Sequence, residues 1–331
     1  MEEPFTSIIL SNYNGIKHIK ECFDSLLNLN YSNFEIILID NHSQDKSVDF
    51  VRKNYPNVKI IENERDYGFS KANNIAATYA KGKYIALLNI DTVVDANWLI
   101  RLVDVAESSN TIGITVSKMY YYHDKKVINY AGGNCDRYLK GVHIGDNKID
   151  NKAYNTQREV FFACGAAVLI KRELYKKIGL FDPLYYAYSE DLDLSWRTWL
   201  FGYKVVYVPT SFIYHKIGQI LGEKSPRKMF LSEKNRLRTL LKNYQLKTIF
   251  TILPIYIGKR IGLILKELLK FDFSAIIRLF VYIKAIFWNI IHARSLLRNR
   301  KFITQNRIKD DKFILNLMNK SSIIENSSTK I

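Results

Sequence analysis

Glycine-rich phosphate cradles are missing from this chain: neither a G-x-G-x-x-G turn after the first strand-like run nor a G-x-x-x-x-G-K-[ST] loop occurs. Their absence excludes a nicotinamide- or flavin-binding Rossmann domain and a P-loop, so a bound nucleotide would have to be held by carboxylates and a metal. Cysteine is scarce. Cys22, Cys135 and Cys164 are odd in number, far apart and without a C-x-x-C pair, which excludes a zinc ribbon or dithiol redox centre and points to a reducing, cytosolic compartment. The start, Met1-Glu-Glu-Pro-Phe-Thr6, lacks the basic and apolar regions of a signal peptide, so any membrane contact is expected from the cytosolic side. Acid is scarce in one place only. Residues 1–215 hold 25 Lys+Arg and 25 Asp+Glu, whereas residues 216–331 hold 24 and 7, so the net charge of +17 belongs to the last third. That imbalance calls for an anionic partner there, a membrane surface or nucleic acid.

What is present first is alternation. Phe5–Leu10, Phe34–Ile39, Val58–Ile61 and Tyr84–Leu88 read as apolar strands, and Ile16–Leu29, Lys46–Tyr55 and Phe69–Ala80 read as helices. Fully apolar strands between helices predict an α/β fold, a mostly parallel sheet covered on both faces. Ligands in such sheets bind beyond the carboxyl ends of the strands. Those ends are polar here, at Asn12 to Asn14, Asp40 to Ser43, Asn63 to Asp66 and Asn89 to Asp91. Turn chemistry explains any one of them; four on one edge mark a site. Ile112–Tyr122 is strand-like, and the irregular, polar region through Gln157 reads as the partner-facing wall of a cleft.

The second feature is a concentration of carboxylates. Glu190, Asp191 and Asp193 open a predicted helix, between the apolar segment Phe161–Ile170 and the strand-like Tyr203–Pro209, and His215 follows. Capping alone would explain acids at a helix start, where each contributes a few tenths to about 1 kcal/mol. Three carboxylates between two buried elements point instead to chemistry.

In order along residues 5–245, the pieces Ser7-Ile-Ile-Leu-Ser-Asn-Tyr-Asn-Gly15, Ile39-Asp-Asn-His-Ser-Gln-Asp45, Asp66-Tyr-Gly-Phe-Ser-Lys-Ala-Asn-Asn74, Leu87-Leu-Asn-Ile-Asp-Thr92, Cys164-Gly-Ala-Ala167, Gly179-Leu-Phe-Asp182, Ser189-Glu-Asp-Leu-Asp-Leu-Ser-Trp-Arg197 and Tyr214-His215 are similar to family 2 glycosyltransferases of the GT-A fold. Bacterial rhamnosyltransferase-like members are resembled most. The resemblance implies an inverting transfer of a sugar, rhamnose among the candidates, from a nucleoside-diphosphate sugar to a lipid-linked saccharide acceptor in cell-surface polysaccharide synthesis. It makes Asp191 the general base, with Glu190 in support and Asp193 as the second choice. It places Asn89 and Asp91 on the family's metal-binding D-x-D, with Asn89 in place of the first Asp, and His215 as a further ligand to Mg or Mn near the diphosphate. Asp40 and Asp66 match base- and ribose-binding positions, Lys71 is a weaker diphosphate candidate, and Asn12 and Asn14 line the nucleotide pocket.

From Ser225 the chain is helical, basic and aromatic. The run Thr248–Ile257 is too short to span a bilayer, and Ala275–Ile291 carries Arg278 and Lys284, each costing about 2.5–3.5 kcal/mol at a bilayer centre. Interfacial helices with cations toward headgroups are therefore expected. This gives a catalytic domain over 1–245, a basic amphipathic helical extension over 246–320 and a disordered tail over 321–331. It predicts peripheral attachment to the cytoplasmic face of a bacterial membrane, with an anionic membrane surface and no nucleic acid as partner, since apolar runs suit lipid better than a phosphate backbone. The competing reading is a catalytically silent, sugar-nucleotide-binding scaffold.

Overall fold

A computed structural model describes residues 3–216, 225–272 and 274–327. Strands β1 (Thr6–Asn12), β2 (Phe34–Asp40), β3 (Lys59–Glu62) and β4 (Tyr84–Asn89) alternate with helices α1 (Ile16–Leu27), α2 (Ser47–Asn54) and α3 (Gly68–Tyr79). These are the expected elements with no end moved by more than two residues. Then follow β5 (Thr92–Val94), α4 (Trp98–Glu107), β6 (Ile112–Tyr121), β7 (Val127–Tyr130), β8 (Gly133–Cys135), β9 (Gly141–His143), β10 (Lys148–Ile149), β11 (Arg158–Glu159), β12 (Ala167–Lys171), α5 (Arg172–Ile178), α6 (Glu190–Leu200) and β13 (Lys204–His215). The stretch read as irregular through Gln157 thus holds four short strands, of two to four residues each, too short to show a period of two.

The sheet runs β10-β7-β6-β12-β4-β1-β2-β3. β1 to β4 are parallel, and their register sets Asn12 beside Asp40, Asp40 beside Glu62 and Ser11 beside Asn89. One edge therefore collects all of the polar strand ends. β12 lies antiparallel between β4 and β6. β13 runs on beyond Pro209, which sits where the pairing with β6 shifts register between Val208 and Phe212; a residue without an N–H fits a ladder only at such an interruption. The far end of β13 pairs antiparallel with β5, placing His215 opposite Thr92. The core of Ile8, Ile9, Leu10, Leu38, Leu87 and Trp98 is fully buried around this sheet.

The C-terminal part is α7 (Pro226–Asn243), α8 (Leu246–Leu268), α9 (Ser274–Ile291), α10 (Ala293–Asn306) and α11 (Asp311–Ser327). α11 continues past the boundary expected at 321, and 328–331 lie outside the described residues. α8 corrects the expectation of a short apolar run. It is 23 residues long, and it and α9 are long and apolar enough, by length and composition, to cross a membrane. Within α8, Arg260 lies 2.9 Å from Glu233 of α7, and Lys259 stands 3.7 Å over the Tyr138 ring. In α9, Arg278 lies 3.0 Å from Glu267 and Lys284 stands over Phe230. Arg260 and Arg278 are thus half-buried against carboxylates rather than free toward headgroups, whereas Lys259 and Lys284 stay exposed. Phe250, Ile261, Leu265, Phe280, Phe287 and Ile290 are exposed instead.

Candidate active site

The turn before α6 is conformationally unusual. Tyr186, Tyr188 and Ser189 all have positive φ, at 66°, 73° and 64°, which costs each of these non-glycine residues of the order of 1 kcal/mol or more. Two devices hold it. Asn235 of α7 points its Nδ2 at the carbonyls of Tyr185, Ala187 and Tyr188, at 3.1, 2.8 and 2.7 Å. On the other side Gly68, itself at φ 74°, closes under Tyr186, where a Cβ would meet the Tyr186 carbonyl oxygen at 2.6 Å. The Asp66 loop is thereby clamped to the α6 turn, and the Tyr186 hydroxyl donates to the Asp66 carboxylate.

The turn launches Glu190 and Asp191 into a cavity of about 1050 Å³, lined also by His143, Cys164, Phe162, Lys228 and Arg236. Asp191 accepts the Gly165 N–H at 3.1 Å and the Leu192 N–H at 2.8 Å. Burial raises its carboxyl above the ordinary value, against those two donors and nearby His143. Glu190 is more extreme: 8% exposed, with its Oε2 lacking a hydrogen-bond partner among the described residues. Burial first, and then Asp191, push it well above the carboxylate range. Of the adjacent pair Asp191 is the better placed to carry a charge, because the N–H groups of Gly165 and Leu192 oppose the effect of burial there, whereas Asp191 itself adds to burial in raising Glu190.

Asp193 is not a second base. Its side chain is fully buried, with Arg197 at 3.0 Å, Lys242 at 2.9 Å and Asn243 Nδ2 at 3.0 Å. Burial would raise it, but Lys242 and Arg197 outweigh that and hold it below the ordinary value. Lys242 and Arg238 likewise grip Asp182, at 3.3 and 2.8 Å. This ionic layer fastens α6 to α7, and its pull on Asp193 leaves no oxygen for a substrate hydroxyl.

Around the sheet edge the predicted nucleotide residues divide. Asn12 is wholly buried and donates to Asp40 at 2.6 Å and Ser47 at 2.8 Å, so its expected place on the pocket lining is corrected: it braces the loop from beneath. Asp40 also accepts from the Ser43 N–H and hydroxyl and faces inward. Asn14 is exposed, with φ 52°, and its Oδ1 accepts the Gln44 N–H. Asp66 accepts the Gly68 N–H at 2.8 Å, and Lys71 lies 3.6 Å over the Tyr67 ring.

Asp91 and His215, distant in sequence, do meet. His215 Nε2 is 3.4 Å from Asp91 Oδ1, and its Nδ1 lies 3.1 Å from Asn129 Oδ1, which fixes the ring. One carboxylate and one imidazole fit a divalent cation whose other ligands come from substrate; among the described residues no group of three His, Cys, Asp or Glu could hold a metal alone. Asn89 caps β4, its N–H donating to Ala166 O at 2.9 Å. The neighbouring Gly165 N–H holds Asp191, so one two-residue segment ties the Asn89–Asp91 end to the carboxylate opposite. Sequence reasoning missed His143, whose imidazole burial pushes down against Asp191 and Asp146. It also missed Asn235, which sits in a basic helical run with no local signal.

Residues 7–179 match the family model of glycosyl transferase family 2. The chain is 25% identical over 209 residues to Glycosyltransferase GlyG of Streptococcus pneumoniae, covering 61% of this chain and 67% of that one. The chain spans less of other curated relatives, 58% of an uncharacterized glycosyltransferase of Rickettsia prowazekii, 31% of a putative polypeptide N-acetylgalactosaminyltransferase of Drosophila melanogaster and 26% of an uncharacterized protein of Sinorhizobium fredii. Among solved structures, GalNAc-T7 with UDP, GalNAc and Mn2+ superposes with a TM-score of 0.61 at 22% identity, over 74% of this chain and 49% of that one. A mannosyltransferase from Pyrobaculum calidifontis, in complex with GDP-Man and Mn2+, gives 0.54 at 13% identity over 98% and 87%. The fold is GT-A-like, a largely parallel central sheet with flanking helices and a C-terminal helical region.

Proposed function

The chain belongs to glycosyl transferase family 2, and from that premise we propose that this glycosyltransferase works by inversion, moving a sugar from a nucleoside-diphosphate donor to a lipid-linked saccharide. The observation that carries the reading is the placement of Asp191, held by two N–H groups in the cavity and tied through Gly165 and Ala166 to the Asp91–His215 end. Asp191 takes the proton of the acceptor hydroxyl, whose oxygen attacks the anomeric carbon as the bond to the diphosphate breaks on the opposite face. Its raised proton affinity suits a base for a hydroxyl, and Glu190, kept protonated, places no second charge beside it. Asp91 and His215 are the residues that would hold Mg or Mn, which when bound neutralises the charge growing on the leaving diphosphate. Relatives' structures containing Mn2+ and UDP or GDP-Man support this assignment. Asp66, braced by Tyr186, lies at the strand-edge rim proposed for the nucleoside.

The apolar outer faces of α8 and α9 support attachment to the cytoplasmic face of a bacterial membrane. Both helices are also bonded to α7, through Arg260 to Glu233 and through Asn289 Nδ2 to Lys234 O at 3.0 Å, which favours lying in the interface over leaving the domain to span it. A role in cell-surface polysaccharide synthesis, with rhamnose as the sugar, follows the sequence resemblance. A panel of nucleotide sugars tests the donor reading: the true donor is hydrolysed slowly and raises the melting temperature with Mn2+ present. Protection without hydrolysis or transfer would instead support the silent scaffold.

A further inference from the structure

The cavity beside Asp191 carries a charge pattern that deprotonating a neutral sugar does not require. Lys228, Ser232 and Arg236 line it from successive turns of one face of α7. Both cations are half-buried. Among the described residues Lys228 Nζ has no carboxylate within ion-pair distance, only the Tyr188 ring at 5.6 Å. Arg236 lies 3.2 Å from Glu233, but Glu233 is also 2.9 Å from Arg260 and accepts the Tyr256 hydroxyl. Two guanidiniums share one carboxylate, so positive charge remains at the wall. Asp146, Glu190 and Asp191 line the same cavity, but among the described residues none of them pairs with Lys228 or Arg236; partly desolvated cations beside a hydroxyl are what a phosphate group satisfies.

Glu233 gives the row a direction. Through it the cavity wall is bonded to α8, the helix that exposes Phe250, Ile261 and Leu265. A lipid on the apolar face and a sugar at Asp191 must be joined by something that passes this row. We propose that Lys228, Ser232 and Arg236 form a subsite for the phosphate or diphosphate that links the lipid of the acceptor to its first sugar. The inference rests on the lipid-linked acceptor proposed above and adds its anionic linker. The donor diphosphate has a separate place at Asp91 and His215, on the other side of the Gly165–Ala166 segment.

The test uses the full chain in phosphatidylcholine nanodiscs with saturating Mn2+ and UDP or GDP, and farnesyl diphosphate as the probe, with farnesol as its uncharged control. Farnesyl diphosphate should bind at least about 10-fold more tightly than farnesol, the worth of one charge-assisted hydrogen bond. Lys228→Gln and Arg236→Gln should each weaken it about 10-fold, and Arg236→Lys, which keeps the charge but not the planar fork, should recover part of the loss. Lys228→Gln touches no ion pair among the described residues, so it reports binding even where Arg236→Gln loosens the fold. Complete displacement of the probe by either nucleotide would assign the cations to the donor and overturn the proposal. So would displacement on changing to phosphatidylglycerol nanodiscs, which would assign them to headgroups, or unchanged binding in both Gln variants. Sugar transfer to a lipid-free saccharide alone, with the probe still bound as described, would remove the lipid-acceptor reading and leave the phosphate subsite standing.

Discussion

Replacing Asp191 and Asp193 one at a time separates chemistry from scaffold, because the two carboxylates stand two residues apart in opposite environments. Asp193→Asn keeps the shape but removes the charge that Arg197 and Lys242 face at 3.0 and 2.9 Å in a fully buried layer. Lys242 retains Asp182 at 3.3 Å, and Arg197 retains the carbonyls of Ile178 and Leu180, but neither replaces a buried anion. Breaking such a pair costs about 3–5 kcal/mol. At about 2 °C per kcal/mol for a chain of this size, the melting temperature should fall by about 6–10 °C. Asp191→Asn removes a charge that burial already disfavours, so its melting temperature should stay within about 2 °C of the parent while turnover drops about 10²- to 10⁴-fold. Differential scanning fluorimetry beside nucleotide release from the donor identified by the protection screen measures both. The reverse pattern, an Asp193→Asn protein that melts normally but is inert beside a fully active Asp191→Asn, would refute the assignment of base and anchor.

Glu190, with its proton affinity raised in the fold, contributes full stability below its unfolded value of about 4.3 and loses it as pH rises from there through the folded value; Glu190→Gln should therefore melt like the parent near pH 4 and increasingly higher than the parent as pH rises above that, and a pH-independent difference would contradict a buried neutral acid. Asp91→Ala and His215→Ala should each weaken Mn2+-dependent nucleotide binding about 10-fold or more in calorimetry; binding untouched by chelator would remove the metal from this pair. Phe280→Glu with Phe287→Glu, at positions 67% and 61% exposed, should release the protein from liposomes without lowering its melting temperature, and unchanged sedimentation would remove α9 from the lipid contact. Truncation after Asn243 should give an unstable protein, since Asn289 bonds Lys234, Arg300 bonds Leu241 O and Asn299 reaches Asp182 across that boundary; a soluble, cooperatively melting fragment would show these links to be dispensable.

The alternation of apolar strands and helices over the first hundred residues was legible because β1, the end of β2 and β4 are buried on both faces and so read as nearly continuous apolar runs, as in Ile36-Ile-Leu-Ile39. The polar strand ends and the Glu190–Asp193 cluster were legible for the same reason, as polarity that departs from those runs. Chain order alone could not decide which carboxylate is charged, neutral or an anchor. Asp191 and Asp193 are the same residue type in one helical turn, and what separates them is which way the helix faces: Gly165 lies on one side, and Lys242 and Arg197 on the other. Nor could spacing predict that Asp91 meets His215, which follows from β13 turning past Pro209 to pair with β5. In the tail, composition fixed the net charge and the apolar content. Only packing decided that Arg260 and Arg278 turn toward Glu233 and Glu267 and that Phe280 and Phe287 stay outside. A local pattern records what a residue prefers, whereas a proton affinity or an exposed face depends on neighbours from other elements of the chain, and those come together only once the chain has folded.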